Sequence, residues 1–159
     1  MDEIVWAVSP RHATLESLAA YLEKFAHDWL AAAGIRCRLD LPLQFPEWRL
    51  TSEVRHNLFL ACKEALHNAV KHSGATEVQI RLVVKPASFE LVIEDNGRGF
   101  SPAAKRRNLA DGSGRLSSGN GLENMARRLF GIGGTFDLQS VPGTGTKIIF
   151  TVQLQPSRA

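Results

Sequence analysis

The residues best suited to chemistry in this chain are a carboxylate, an amide and a set of glycines. Asp95-Asn96-Gly97-Arg98-Gly99-Phe100 places a carboxylate after an alternating apolar run and directly before a turn with two glycines. A carboxylate ending a buried strand is costly to leave unpaired, so it calls for a donor, and an adenine exocyclic amine is such a donor. Gly97 and Gly99 let the main chain curl against a base. Read alone, Asn-Gly after alternating apolar residues is also the commonest hairpin signal. Upstream lies Glu64-Ala65-Leu66-His67-Asn68-Ala69-Val70-Lys71-His72. At helical spacing Glu64, Asn68, Lys71 and His72 share about a third of the turn, while Leu58, Cys62, Ala65 and Ala69 face the other way. The Asn68 amide oxygen is a hard ligand suited to Mg2+, an ion that takes few protein ligands and completes its shell with phosphate oxygens and water. Glu64, one turn earlier, can accept a proton or orient the group that attacks a γ-phosphate. Lys71 and His72 offer charge or donors to phosphate oxygens. The same pattern also suits an exposed helix face with ordinary polar residues.

Downstream, Gly119 and Gly121 stand at a helix start, where free N–H groups and the helix dipole favour anions. Thr146, after the Gly143-Thr144-Gly145 turn, adds a hydroxyl near the base. Rival glycine motifs fail: in Gly119-Asn120-Gly121-Leu122-Glu123-Asn124 the third glycine of a dinucleotide fingerprint is replaced by Asn124, and no GxxxxGK[ST] loop occurs.

The elements that must position these groups follow from periodicity. Leu15, Leu18, Ala19, Leu22, Phe25, Ala26, Trp29 and Leu30 form one apolar stripe, predicting a helix from about Thr14 to Ala33 that Gly34 ends. Ile35 to Leu41 alternates as a strand. Thr51 is placed to cap a long helix running to about His72. Val78, Ile80, Leu82 and Val84, then Phe89, Leu91 and Ile93, predict two half-buried strands joined near Pro86. A helix from about Leu122 to Phe130 and strands over Thr135 to Val141 and Lys147 to Leu154 complete the chain. The order predicts an α/β fold, a two-layer sandwich of helices on a mixed sheet.

At 159 residues, 44% hydrophobic and 22% charged, the composition is that of one globular domain with a sizeable core. No apolar run approaches the roughly 20 residues of a membrane span, and the opening Met1-Asp2-Glu3 lacks signal-peptide order, so a cytoplasmic chain is expected. Cys37 and Cys62 lack metal-ligand spacing and are expected to be free thiols. The formal charge of +3 is local. Arg98, Lys105, Arg106, Arg107 and Arg115 oppose the single acid Asp111 between Gly97 and Ser118. That stretch reads as a phosphate-facing lid that orders on triphosphate, or as a solvated loop, rather than as a nucleic-acid stripe.

In order and separation, the Glu64–His72 segment, the Asp95–Phe100 turn, Gly119-Asn120-Gly121-Leu122-Glu123-Asn124-Met125 and Gly143-Thr144-Gly145-Thr146 resemble the N box and three glycine boxes of one ATPase superfamily. Its members are sensor histidine kinases, gyrases, mismatch-repair ATPases and heat-shock chaperones. The run from Gly119 to Gly134 and the segment Ser140-Val141-Pro142-Gly143-Thr144-Gly145-Thr146 look most like the catalytic domain of bacterial sensor histidine kinases.

The resemblance implies an enzyme domain that binds Mg-ATP and passes the γ-phosphoryl to a histidine on a dimerisation hairpin, for relay to a response regulator. It assigns Glu64, Asn68, Lys71 and His72 to the N box and Asp95, Gly97 and Gly99 to the first glycine box. Gly119 and Gly121 fall in the second, and Gly143, Gly145 and Thr146 in the third. Glu64 and Asn68 are the expected catalytic pair, with Asn68 also the metal ligand. Residues 1–33 look like the end of the second dimerisation helix, either pairing or lying back on the domain, and 34–159 like the ATP-binding domain. His27-Asp28 superficially fits an acceptor pair. The strand and loop before Glu64 leave no room for a second long helix, so His27 is expected to be an ordinary helix residue. The acceptor histidine is then expected on an upstream hairpin of a longer, homodimeric sensor, whose cytoplasmic part this chain would be. The alternatives are a stand-alone module of the same superfamily, of the anti-sigma-factor kinase type or an ATP-gated conformational module.

Overall fold

A computed structural model describes residues 14–101 and 120–153. The Glu3–Pro10 stretch, the basic lid segment after Ser101, and Gly119 lie outside the described residues. The elements in chain order are α1 (Leu15–Ala32), β1 (Arg36–Asp40), α2 (Ser52–Asn68), a π-helical turn (Ala69–Ser73), β2 (Glu77–Val84), β3 (Ser88–Asp95), α3 (Asn120–Gly131), β4 (Gly134–Val141) and β5 (Gly145–Gln153).

Two threonines start the long helices. The Ser17 N–H donates to Thr14 Oγ1 at 3.2 Å and the Val54 N–H to Thr51 Oγ1 at 3.1 Å, each satisfying a donor that the first turn leaves open. Gly34, at φ +73°, ends the first helix in the left-handed region.

The sheet runs β1-β2-β3-β5-β4. Only β1 and β2 are parallel, with α2 as the crossover between them; β2–β3, β3–β5 and β4–β5 are antiparallel. The expected mixed sheet is therefore present, with helices on one face. Val78, Ile80, Leu82, Phe89, Leu91, Ile93, Ile148, Phe150 and Val152 of the sheet meet Leu58, Phe59, Cys62, Leu66, Met125 and Leu129 of the helices in one core. Cys37 and Cys62 are free thiols, and burial pushes both thiols up from their ordinary range.

The helix α1 belongs to the same core. Leu15, Leu18, Ala19, Leu22, Ala26 and Leu30 are buried in it, and an aromatic seam joins α1 to α2. Tyr21 and Phe25 meet Phe59 edge-on at 4.9 and 5.3 Å, and Trp29 stacks on His67 at 4.3 Å. The helix lies back on the core of its own domain. Gly34 marks a turn in the chain, and the core is continuous across it.

The structure departs from a continuous α-helix at the end of α2. The regular α-helix stops at Asn68, and Ala69–Ser73 widens into a π turn before Gly74 reverses the chain at φ +65°. The Ser73 hydroxyl donates back to the Ala69 carbonyl and accepts the Ala75 N–H at 3.0 Å, so the expanded turn keeps its polar groups satisfied.

Candidate nucleotide site

Asp95 ends the core-facing row Phe89, Leu91, Ile93 of β3, at the point where the helix layer gives out. In register it lies between Val78 of β2 and Thr146 of β5. Its carboxylate accepts the Gly97 N–H at 2.9 Å and the Thr146 N–H. Burial raises the Asp95 carboxyl above its ordinary range; the two N–H donors pull it back and the charge on Glu94 adds to the rise. The carboxylate keeps lone pairs for a further donor.

The Asp95–Phe100 turn is stitched on both sides. Towards the π turn, the Arg98 N–H donates to the Ser73 carbonyl at 2.8 Å, and a methyl group at Gly97 would lie 2.3 Å from that same oxygen. Towards the β4–β5 hairpin, the Gly143 N–H donates to the Arg98 carbonyl at 2.6 Å and the Phe100 N–H to Ser140 Oγ at 2.9 Å. Gly99 has φ +63°, and a methyl there would lie 2.1 Å from the Val141 carbonyl oxygen. Both glycines are thus dictated by close main-chain approach. Asn96 points to the other side, its side chain accepting the Thr76 and Glu77 N–H groups.

The second cluster sits where α2 meets the first turn of α3. A methyl at Gly121 would lie 2.5 Å from Glu64 Oε1 and 3.4 Å from Asn68 Nδ2, so α3 begins directly against the carboxylate and the amide. Between this cluster and Asp95 runs a solvent-open cleft. Asn68, His72, Arg98, Asp95 and Thr146 supply its polar lining, and Ala65, Ala69, Phe100, Leu122 and Ile148 its apolar one. The apolar patch suits the flat face of a base and the polar groups suit its edge and a phosphate chain.

Of the residues expected from the sequence, Asn68, His72, Asp95, Gly99 and Thr146 line this one cleft, with Gly97 in its supporting turn and Glu64 and Gly121 at its far end. Lys71, in the π turn, is exposed and does not line the cleft. Sequence reasoning missed Ser73 and Ser140, both buried. Ser140 lies inside a quoted glycine-box segment and Ser73 directly follows the N box, but only the structure shows what either hydroxyl bonds. Among the described residues no three His, Cys, Asp or Glu side chains cluster as metal ligands. The donor chemistry present, one side-chain amide lining the cleft, fits an ion that takes most of its ligands from elsewhere.

The fold is an α/β sandwich with a one-faced mixed sheet, and it gathers a strand-end carboxylate, a glycine-laced turn and a helix-borne amide around one cleft. The family of histidine kinase-, DNA gyrase B- and HSP90-like ATPases matches residues 53–156, and the chain belongs to that family. Among curated proteins, it is 32% identical over 105 residues to the sensor protein VraS of Staphylococcus aureus, across 66% of this chain and 27% of that protein. To VraS of Staphylococcus saprophyticus it is 34% identical over 102 residues, across 64% of this chain and 26% of that protein. The chain therefore spans about a quarter of the length of these relatives. Among solved structures, the histidine kinase domain of the Erythrobacter litoralis EL346 blue-light activated histidine kinase superposes with a TM-score of 0.69 at 20% identity, over 96% of this chain and 69% of that one. The Acinetobacter baumannii histidine kinase AdeS gives 0.67 at 18% identity, over 89% and 66%. These two likenesses establish the fold.

Proposed function

We propose that this chain is the ATP-binding catalytic domain of a sensor histidine kinase. The observation that carries the reading is the arrangement of one cleft, with an acceptor wall of Asp95 and Thr146 at one end and Glu64, Asn68 and the start of α3 at the other. In this reading Asp95 accepts the adenine amine, while Ala65, Ala69 and Ile148 offer the base an apolar face. His72 and Arg98 donate to the phosphate chain, and Lys71 adds positive charge at the rim. Asn68 would hold Mg2+ together with phosphate oxygens and water, and that ion would supply charge neutralisation at the phosphoryl group.

The acceptor is a histidine ring nitrogen on an upstream dimerisation hairpin, a part of the sensor separate from this chain. It forms a bond to the γ-phosphorus as the bond to the β–γ bridging oxygen breaks and ADP leaves. Glu64 takes the ring proton or orients the ring. A response-regulator aspartate then receives the phosphoryl group. Homodimerisation of the whole sensor and a cytoplasmic location belong to the same proposal. Among the described residues no helix is long and apolar enough to cross a membrane.

The test supplies the chain with γ-labelled Mg-ATP and a separate dimerisation hairpin bearing the acceptor histidine. Label is expected on the hairpin as acid-labile, alkali-stable phosphate. Tight ATP binding with no transfer to any such hairpin would overturn the kinase assignment.

A further inference from the structure

Asp95, Thr146 and Ser140 occupy one rung of the sheet, paired across β3, β5 and β4 in that order. Ser140 is buried on an edge strand. Its hydroxyl meets three partners: the Phe100 N–H at 2.9 Å, the Gly145 carbonyl oxygen at 3.1 Å and Thr146 Oγ1 at 2.9 Å. A serine hydroxyl has one proton and two acceptor positions. The Phe100 N–H can only donate and the Gly145 carbonyl can only accept. Ser140 therefore gives its proton to Gly145, and its remaining lone pair can be filled only by the Thr146 proton. This is the one assignment that satisfies all three contacts at once.

Thr146 is then left without a donor. Its N–H goes to the Asp95 carboxylate and its O–H to Ser140, so the hydroxyl oxygen presents only lone pairs to the cleft it lines. Asp95, beside it, is also an acceptor.

We infer that Ser140 is a positioning residue that fixes the polarity of the base-recognition wall: by consuming the Thr146 proton it makes the wall accept only, and so selects 6-amino over 6-oxo purines. The inference rests on the nucleotide reading above and adds to it the residue that sets base specificity. An amine at purine C6 brings protons to such a wall, directly or through a water. A carbonyl there brings a lone pair against lone pairs, leaving buried acceptors unmatched. Without the Ser140 hydroxyl, Thr146 is free to rotate and donate, and the wall becomes tolerant of either group.

The test compares ATP with inosine triphosphate, which carries an oxo group in place of the C6 amine and a proton on the neighbouring N1, so that the ratio reads the C6 contact against a ligand that still has one edge donor. Calorimetric titrations would use wild type, Ser140→Ala, Thr146→Val and the double variant. Wild type is expected to prefer ATP by roughly tenfold or more, and Ser140→Ala to lower that ratio by about fivefold, a neutral hydrogen bond's worth. In the Thr146→Val background, Ser140→Ala should leave the ratio unchanged, because the group through which it acts is gone.

A merely structural role would weaken both nucleotides by one factor, and an unchanged ratio in Ser140→Ala with ATP binding retained would overturn the assignment. So would an equal change in ratio with and without the Thr146 hydroxyl. If Ser140→Ala does not fold, Thr146→Ser must keep the wild-type ratio while Thr146→Val loses it; a preserved ratio in Thr146→Val defeats the inference. Failure of wild type to bind either nucleotide would instead defeat the nucleotide reading on which it stands.

Discussion

Asp95 carries a conflict between stability and binding. Its carboxyl is raised by burial, so between its ordinary titration range and its raised one the folded chain holds a proton that the unfolded chain has released. Stability of the nucleotide-free protein therefore falls as pH rises through that window and levels off above it. ATP affinity should move the opposite way, rising with pH, because the amine needs an ionised acceptor. Urea unfolding and ATP titration at stepped pH would check both slopes. Asp95→Asn should lose both, and identical profiles in wild type and variant would refute the assignment. At neutral pH the same substitution turns an acceptor into a mismatched donor and should weaken ATP binding about ten- to a hundredfold, the worth of a hydrogen bond to a charged group. Asn68→Ala should behave differently. It leaves the base wall intact and removes the metal's ligand, so phosphoryl transfer to a supplied hairpin should collapse while ATP affinity falls only modestly. Wild-type transfer rates in that variant would show that Asn68 holds no catalytic ion.

Between elements, the site depends on how the Asp95–Phe100 turn is clamped by the π turn on one side and the β4–β5 hairpin on the other. Gly97→Ala drives a methyl into the Ser73 carbonyl, 2.3 Å away, whereas a methyl at Gly131 meets nothing within 4 Å. The first should cost about 1–3 kcal/mol in denaturant unfolding, as overpacking does, and the second little. Equal midpoints for the two variants would show that the clamp is slack. Much of this architecture was legible in the sequence. Thr51 announced its helix by capping chemistry, the Leu15–Leu30 stripe announced the first, and alternation marked the strands from Ile35 to Ile93. Asp95, Asn68 and the glycines were legible because their spacing leaves few other uses for them. The π turn was not, since one extra residue in a helical turn has no local signature and exists here through the Ser73 back-bond and the docking of Gly97. The partner of α1 was equally hidden: an apolar stripe says that one face is covered, not whether the cover is a second long helix or this sheet. Ser140 stood inside a matched glycine-box segment with no role assigned to it, and only the cross-strand register makes it a junction.

At the scale of the whole molecule, the chain is one unit of a larger arrangement in the proposed reading, with the catalytic cleft and the acceptor on separate parts. His27 is exposed on α1, whose opposite stripe is locked in the core. Reaching a γ-phosphate in line, to within about 3–3.5 Å, would require that helix to leave its sheet. Incubated alone with γ-labelled ATP, the chain should remain unlabelled, and His27→Gln should change nothing. Label on the chain that disappears in His27→Gln would reverse that assignment. The claim on which everything else rests is that the cleft between Asn68 and Asp95 recognises adenine through its amine. Calorimetric titration of the wild-type chain with Mg-ATP and with Mg-GTP tests it most directly. The account predicts binding of ATP, with GTP weaker by roughly tenfold or more because its 6-oxo group faces the Asp95 and Thr146 acceptors. Equal affinity for the two nucleotides, or no binding of ATP at all, would contradict it.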